Sequence, residues 1–78
     1  MEPNIKEVAG RIRALREDMD LTLQEMAEAT GRSTAEYAAQ ESGEEDLSFT
    51  FLYKCAEKFG VDVIELLTGN PHIKYKYK

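Results

Sequence analysis

Few side chains in this sequence are of the kinds that do covalent chemistry. The candidates are its one cysteine, Cys55, its one histidine, His72, and the acidic run Glu44-Glu45-Asp46. Cys55 falls on the apolar stripe of a predicted helix, where a thiol packs as a small hydrophobe. His72 stands alone, with no second imidazole or thiol near it in sequence to complete a zinc set. The acidic run lacks the ligand spacing of a calcium loop. There is no glycine-rich phosphate loop and no pair of carboxylates in a definable cleft. The sequence therefore predicts no catalytic residue, no metal, no cofactor and no enzyme. What remains is the chemistry of recognition, carried by hydroxyls, helix-end amides and a few arginines.

Short helices must position those groups. Ile5, Val8, Ile12, Leu15 and Met19 recur at spacings of 3 and 4, one stripe of a first helix, with Lys6, Arg11, Arg13, Arg16 and Glu17 largely off it. Gly10, inside this helix, costs it roughly 1 kcal/mol of propensity relative to alanine. Thr22-Leu23-Gln24-Glu25 is a capping box that starts a second helix, flanked by Leu21 and Met26 as a hydrophobic staple. Gly31 is placed to end that helix. Ser33-Thr34-Ala35-Glu36 is a second box, starting a third helix that runs to about Ser42 and stops at Gly43. Only Gly31 and Arg32 separate the two, so the helices must cross steeply, as in a helix-turn-helix unit. A fourth helix, about Phe49 to Phe59, aligns Leu52, Cys55, Ala56 and Phe59 on one face and ends at Gly60. Asp62 to Glu65 reads as a third box, for a last helix through Leu67 closed by Gly69 and Pro71.

The predicted class is thus all-α, with a helix-turn-helix over 22–42 inside a domain spanning 5–69. Residues 1–4 are left as a leading tail. Residues 70–78 are a tail or the start of a following domain: Ile73, Tyr75 and Tyr77 alternate with Lys74, Lys76 and Lys78, a strand period. That segment reads either as a frayed end or as a strand that enters a β domain or pairs with another subunit. A chain of 78 residues makes one domain at most, and a hydrophobic share of 42% is too high for a wholly disordered one. One cysteine allows no internal disulfide and suits a reducing compartment. No segment approaches the roughly 18 apolar residues of a membrane span, and Met1 begins a polar stretch rather than a signal peptide. The expectation is a soluble, cytoplasmic protein without a membrane partner.

From Val8 to Gly69 the sequence resembles the xenobiotic-response-element, or Cro/lambda-repressor-like, helix-turn-helix domain. The matching stretches are Arg11-Ile12-Arg13-Ala14-Leu15-Arg16-Glu17 and Leu21-Thr22-Leu23-Gln24-Glu25-Met26-Ala27. Gly31, Ser33, Glu41-Ser42-Gly43 and Gly60-Val61-Asp62-Val63-Ile64-Glu65-Leu66-Leu67 then follow in order. The resemblance implies a five-helix lambda-repressor-like bundle whose third helix enters the DNA major groove. It further implies homodimers on a palindromic operator, and a C-terminal sensor domain in many parent proteins. In some relatives that sensor is a cupin-like β-barrel, which the strand period of the tail would suit.

Carried over position by position, the resemblance turns Ser33, Thr34, Ala35, Ala38 and Ala39 toward the bases. Hydroxyls can bond several bases and alanine methyls can touch thymine methyls, but no Arg, Gln or Asn stands among them to make a bidentate contact. Arg32, on the turn, is the strongest candidate for a phosphate or base contact. The amide end of the second helix, at Thr22 and Leu23, favours an anion. Charge argues the other way. The net charge is −5, and from Ser33 to Thr50 there are five acids and no base. Glu41 belongs to the family's pattern and reads as structural, whereas Glu44, Glu45 and Asp46 would meet phosphate with the wrong sign. Arg32 and Gln40 stand where the family usually has apolar residues, and Tyr37 replaces an aliphatic one, so the third helix is expected to be held less firmly. The first reading is a sequence-specific DNA-binding domain of a transcriptional regulator, its third helix (34–42) in the groove, binding double-stranded DNA weakly when isolated. The alternative is a degenerate helix-turn-helix that serves as a protein-interaction or dimerisation module.

Overall fold

The computed structural model of the chain describes residues 4–70; the leading residues 1–3 and the alternating tail lie outside them. Helix α1, Ile5–Asp18, begins where its apolar stripe begins. Asn4 is its N-cap: the side-chain Oδ1 accepts from the amides of Lys6 and Glu7 at 2.8 and 3.2 Å. No glycine marks the other end. Asp20 takes the left-handed position there, with φ of 57°, a conformation aspartate tolerates better than most residues.

Helices α2 (Leu23–Thr30) and α3 (Thr34–Glu41) both begin on complete capping boxes. Gly31 turns the chain between them at φ 73°, and Arg32 donates its amide back to the Ala27 carbonyl at 2.9 Å. A side chain at Gly31 would be strained, so glycine is what allows so short a connection. Helix α4 (Phe49–Phe59) starts at Ser48, whose hydroxyl accepts from the Phe51 amide. Helix α5 (Val63–Thr68) starts at Asp62. Its cap differs in detail from the expected box: Asp62 Oδ1 accepts from the Ile64 amide, and the Glu65 amide goes to the Asp62 main-chain carbonyl.

Helix α1 packs against α3, α4 and α5, and α4 lies under α2 and α5. The core gathers Ile12, Met26, Tyr37, Phe51, Cys55 and Leu66, all essentially inaccessible. Large apolar side chains buried this completely each contribute up to about 1.5–3 kcal/mol. The α4 face predicted from the sequence is buried as expected, joined by Phe51. The α1 stripe is buried only at its centre. Ile5, in the first turn, and Met19, the C-cap, are 39% and 44% exposed.

Candidate nucleic-acid interface

The two capping boxes decide which groups near α2 and α3 are free to meet a ligand. Thr22 Oγ1 accepts from the Glu25 amide at 3.0 Å, and Glu25 accepts from the Thr22 amide at 2.8 Å. Ser33 and Glu36 repeat the exchange at 3.1 and 2.9 Å. Both hydroxyls are thus engaged as acceptors. The first-turn amides of Leu23 and Gln24 make no hydrogen bond among the described residues. Unpaired amides at a helix N-terminus, aided by the helix dipole, suit a phosphate oxygen. The bonds also hold Glu25 and Glu36 below the usual carboxylate range, chiefly through the amides of Thr22 and Ser33.

Of the residues carried over by resemblance, Thr22, Arg32, Ser33, Thr34 and Ala35 are exposed. Leu23, Ala38 and Ala39 are half-buried. Leu23 and Ala38 come together with Arg13 and Ser42 along one crevice, which joins the start of α2 to the second turn of α3. Arg13 and Arg16 are the α1 cations on this side, together with the Glu41 carboxylate; Arg16 is committed to Glu41 at 2.7 Å, and Arg13 shares its charge with Glu17 at 3.1 Å. Arg11 turns elsewhere, donating to the carbonyls of Leu66 and Leu67 at 2.8 and 3.0 Å. Arg32 rests its guanidinium 6.0 Å from the Phe51 ring centroid, a cation–π distance that ties it to the first turn of α4. Lys54 brings its ammonium close to Gly31, so a second cation borders the turn. Sequence spacing does not fix the side of Lys54, since only the packing of α4 under α2 decides it.

What holds α3 in place is a buried cluster. Glu41 is 7% exposed and accepts from Arg16 through Nε at 2.7 Å and Nη2 at 3.1 Å. The Tyr37 hydroxyl donates to the same carboxylate at 2.7 Å. Arg16 also donates to the Leu21 carbonyl at 2.9 Å, closing the turn between α1 and α2. Burial, with the neighbouring Glu41 carboxylate second, pushes the Tyr37 hydroxyl well above its ordinary range. Burial likewise pushes the Cys55 thiol up to about 12. A thiol so reluctant to ionise is a packing group rather than a nucleophile. The expected loosening of α3 therefore fails on this flank, because tyrosine adds a hydrogen bond that an aliphatic residue could not.

The helix-turn-helix family model HTH_3 matches residues 12–66, most of the chain and the whole of this cluster and crevice. The chain belongs to this family. Solved structures agree with the assignment. The clp gene regulator ClgR from Corynebacterium glutamicum is similar at 31% identity and a TM-score of 0.74, over 86% of this chain and 72% of that one. The N-terminal DNA binding domain of SinR from Bacillus subtilis is 25% identical with a TM-score of 0.71, covering 91% and 99%. An HTH_3 family transcriptional regulator from Vibrio cholerae is 25% identical with a TM-score of 0.74; this chain covers 38% of it. Comparison with the curated proteins finds no match. The relatives are gene regulators rather than enzymes. No helix among the described residues of this HTH_3 domain is long and apolar enough to cross a membrane.

Proposed function

We propose that this HTH_3 domain is the sequence-specific DNA-binding part of a transcriptional regulator, with α3 in the major groove of a double-stranded operator. One observation carries the reading. Leu23, at the open amide end of α2, shares a crevice with Arg13 and with Ala38 of α3, the helix whose first turn is exposed. Phosphate would meet the α2 amides, Arg13 and Arg32. Bases would meet Ser33, Thr34, Ala35, Ala38 and Ala39, with the Thr22 hydroxyl at the groove edge. Readout by hydroxyls and methyls is weaker than readout by bidentate side chains, so DNA shape and a second copy on a palindromic site would supply the rest. A C-terminal sensor domain in the parent protein belongs to this reading through the family resemblance; the regulator from Vibrio cholerae, of which this chain covers 38%, shows that such a domain can stand within a longer protein. The fold and charge suit a protein of the cytoplasm.

The test is selection from random duplex DNA across a low-to-moderate salt series. Enrichment of a palindrome is expected, with binding that weakens as salt rises and is lost in Arg32→Ala. Removing a single cation that meets phosphate should lower the salt slope by about 0.9. No enrichment even at low salt would overturn the reading. It would favour a protein-interaction module, which one observation supports: Glu44, Glu45 and Asp46 are all exposed and form no ion pair among the described residues. Replacing Glu44 and Glu45 by lysine separates the two readings, since it should tighten DNA binding and abolish capture of a basic partner.

A further inference from the structure

We propose that two copies of this chain pair through α4, antiparallel about a two-fold axis at Tyr53, with Phe49 of each in a crevice of the other. Phe49 and Tyr53, one helical turn apart on α4, are 64% and 52% exposed. Their rings stack at 6.2 Å between centroids and 27° between planes, forming one aromatic patch on the surface. The patch borders two crevices. One, of about 360 Å³, runs along the helix past Thr50, Lys54 and Glu57. The other, of about 470 Å³, opens at the junction of α4 and α5 and is lined by Tyr53, Ala56, Glu57, Gly60, Val61 and Val63. Tyr53 and Glu57 line both, so the aromatic patch and the larger crevice form one continuous surface. A Cβ added at Gly60 would meet no atom within 4 Å, so the crevice is open on that side.

Symmetry matches the patch to the crevice. Along the helix Phe49 lies about 6 Å before Tyr53, and Glu57 about 6 Å beyond it. An antiparallel pair crossing at Tyr53 therefore sets each Phe49 opposite the partner's Glu57, at the mouth of the partner's larger crevice. The surface is then self-complementary, as a two-fold interface requires. A phenyl ring in that crevice is the kind of buried aromatic anchor on which such interfaces depend. Charge agrees. The chain carries −5 overall, which opposes association, yet on this face Lys54 and Glu57 stand one of each sign. A second copy brings its Glu57 toward Lys54 and its Lys54 toward Glu57. Asp62, at the far rim, already accepts from the Ile64 amide through Oδ1. A two-fold pair is what a palindromic operator would select, so the purpose of the contact rests on the DNA-binding reading. The contact itself needs no DNA.

The test is sedimentation of the full chain, without DNA, over a concentration series. A monomer–dimer equilibrium is expected. Phe49→Ala should weaken it by about 30-fold or more, the loss that follows removal of a buried aromatic anchor. Because Phe49 is exposed in the single chain, that variant should keep its helical circular dichroism. Ile5→Ala, at an exposed apolar residue of α1, should leave pairing unchanged. Within one chain the length of α4, about 15 Å, separates Phe49 from Val61. In a mixture of labelled and unlabelled chains, nuclear Overhauser cross-peaks from the Phe49 ring to the methyls of Val61 and Val63 are therefore expected only between chains. A chain that stays monomeric throughout would overturn the proposal. So would a dimer unmoved by Phe49→Ala, or one weakened instead by Ile5→Ala, which would place the contact on α1. Failure to enrich a palindrome counts against DNA binding alone; a dimer with these cross-peaks upholds the pairing without it.

Discussion

Gln40 and Glu41 are neighbours at the end of α3, both buried, yet their surroundings treat them oppositely. On the α1 side, Glu41 has every requirement of a buried charge: a guanidinium held by two bonds and a tyrosine hydroxyl. On the loop side, Gln40 donates to the Asp46 carbonyl over a long 3.3 Å. Its Oε1 is buried with no partner. The difference teaches where α3 gets its position. A buried polar group organises its neighbours only when fully satisfied; half satisfied, it is a cost. The α1 flank therefore fixes the helix, and the loop flank tolerates it.

Removing the charge on the fixed flank should have the largest effect. Glu41→Gln takes from Arg16, whose side chain is only 14% exposed, its nearest counter-ion and leaves it the longer contact to Glu17 at 3.8 Å. Breaking a buried pair costs about 3–5 kcal/mol. We expect the low end of that range, because Arg16 keeps its bond to the Leu21 carbonyl. Denaturant titration reads this as a lower midpoint at unchanged slope. A loss below about 1 kcal/mol, the size of an exposed pair, would mean that Glu41 organises no more than Gln40 does. Tyr37→Phe is the sharper variant on the same flank. It keeps the ring against Phe51, at 5.8 Å between centroids, and deletes only the hydroxyl. About 1.5 kcal/mol should be lost, as for one hydrogen bond to a charged group.

The loop flank predicts the opposite sign. Gln40→Leu removes an unpaired carbonyl oxygen whose burial costs about 1–3 kcal/mol, at the expense of one long hydrogen bond. A gain of about 1 kcal/mol, the lower end of that cost, is expected in the same titration. If Gln40→Leu destabilised the domain instead, the bond to Asp46 would be shaping the loop, and the contrast with Glu41 would fail.

The same contrast explains what is legible in the sequence. Capping boxes and helix-ending glycines are local signals: α2 and α3 begin where the boxes place them, while the extent of α4 follows from its apolar face and Gly60. Gly31, Gly43, Gly60 and Gly69 all take positive φ at the helix ends that their spacing marks. Asn4 is an equally local N-cap signal, directly ahead of the apolar stripe of α1. The partner of Glu41 lies 25 residues away at Arg16, beyond any local pattern; only the family resemblance marks Glu41 as structural. The reach of Lys54 toward the turn and the unpaired oxygen of Gln40 depend on how helices cross, which spacing does not reveal. Arg11 and Arg16 look alike on the first helix, yet one caps α5 and the other anchors α3.

The smallest effect concerns the start of α3, which neither flank secures and which local bonds hold. Glu25 and Glu36 are exposed side chains whose carboxyls sit below their ordinary range because the amides of Thr22 and Ser33 bond to the charged form. Their folded pKa is lower than the unfolded one, so their contribution is complete above the ordinary glutamate range. It is lost as pH falls through the lowered values. The cap of α4, made by the Ser48 hydroxyl, carries no carboxylate at its third position, where Phe51 stands. Acid should therefore loosen α2 and α3 at their starts while leaving α4 unchanged. Amide exchange at Glu25, Glu36 and Phe51, followed from neutral pH into the acid range and corrected for intrinsic rates, reads this directly. Glu25→Gln with Glu36→Gln should lower stability at neutral pH and flatten its acid dependence. Equal loss of protection at Phe51 would show that the helix-turn-helix responds to acid only as part of the whole domain.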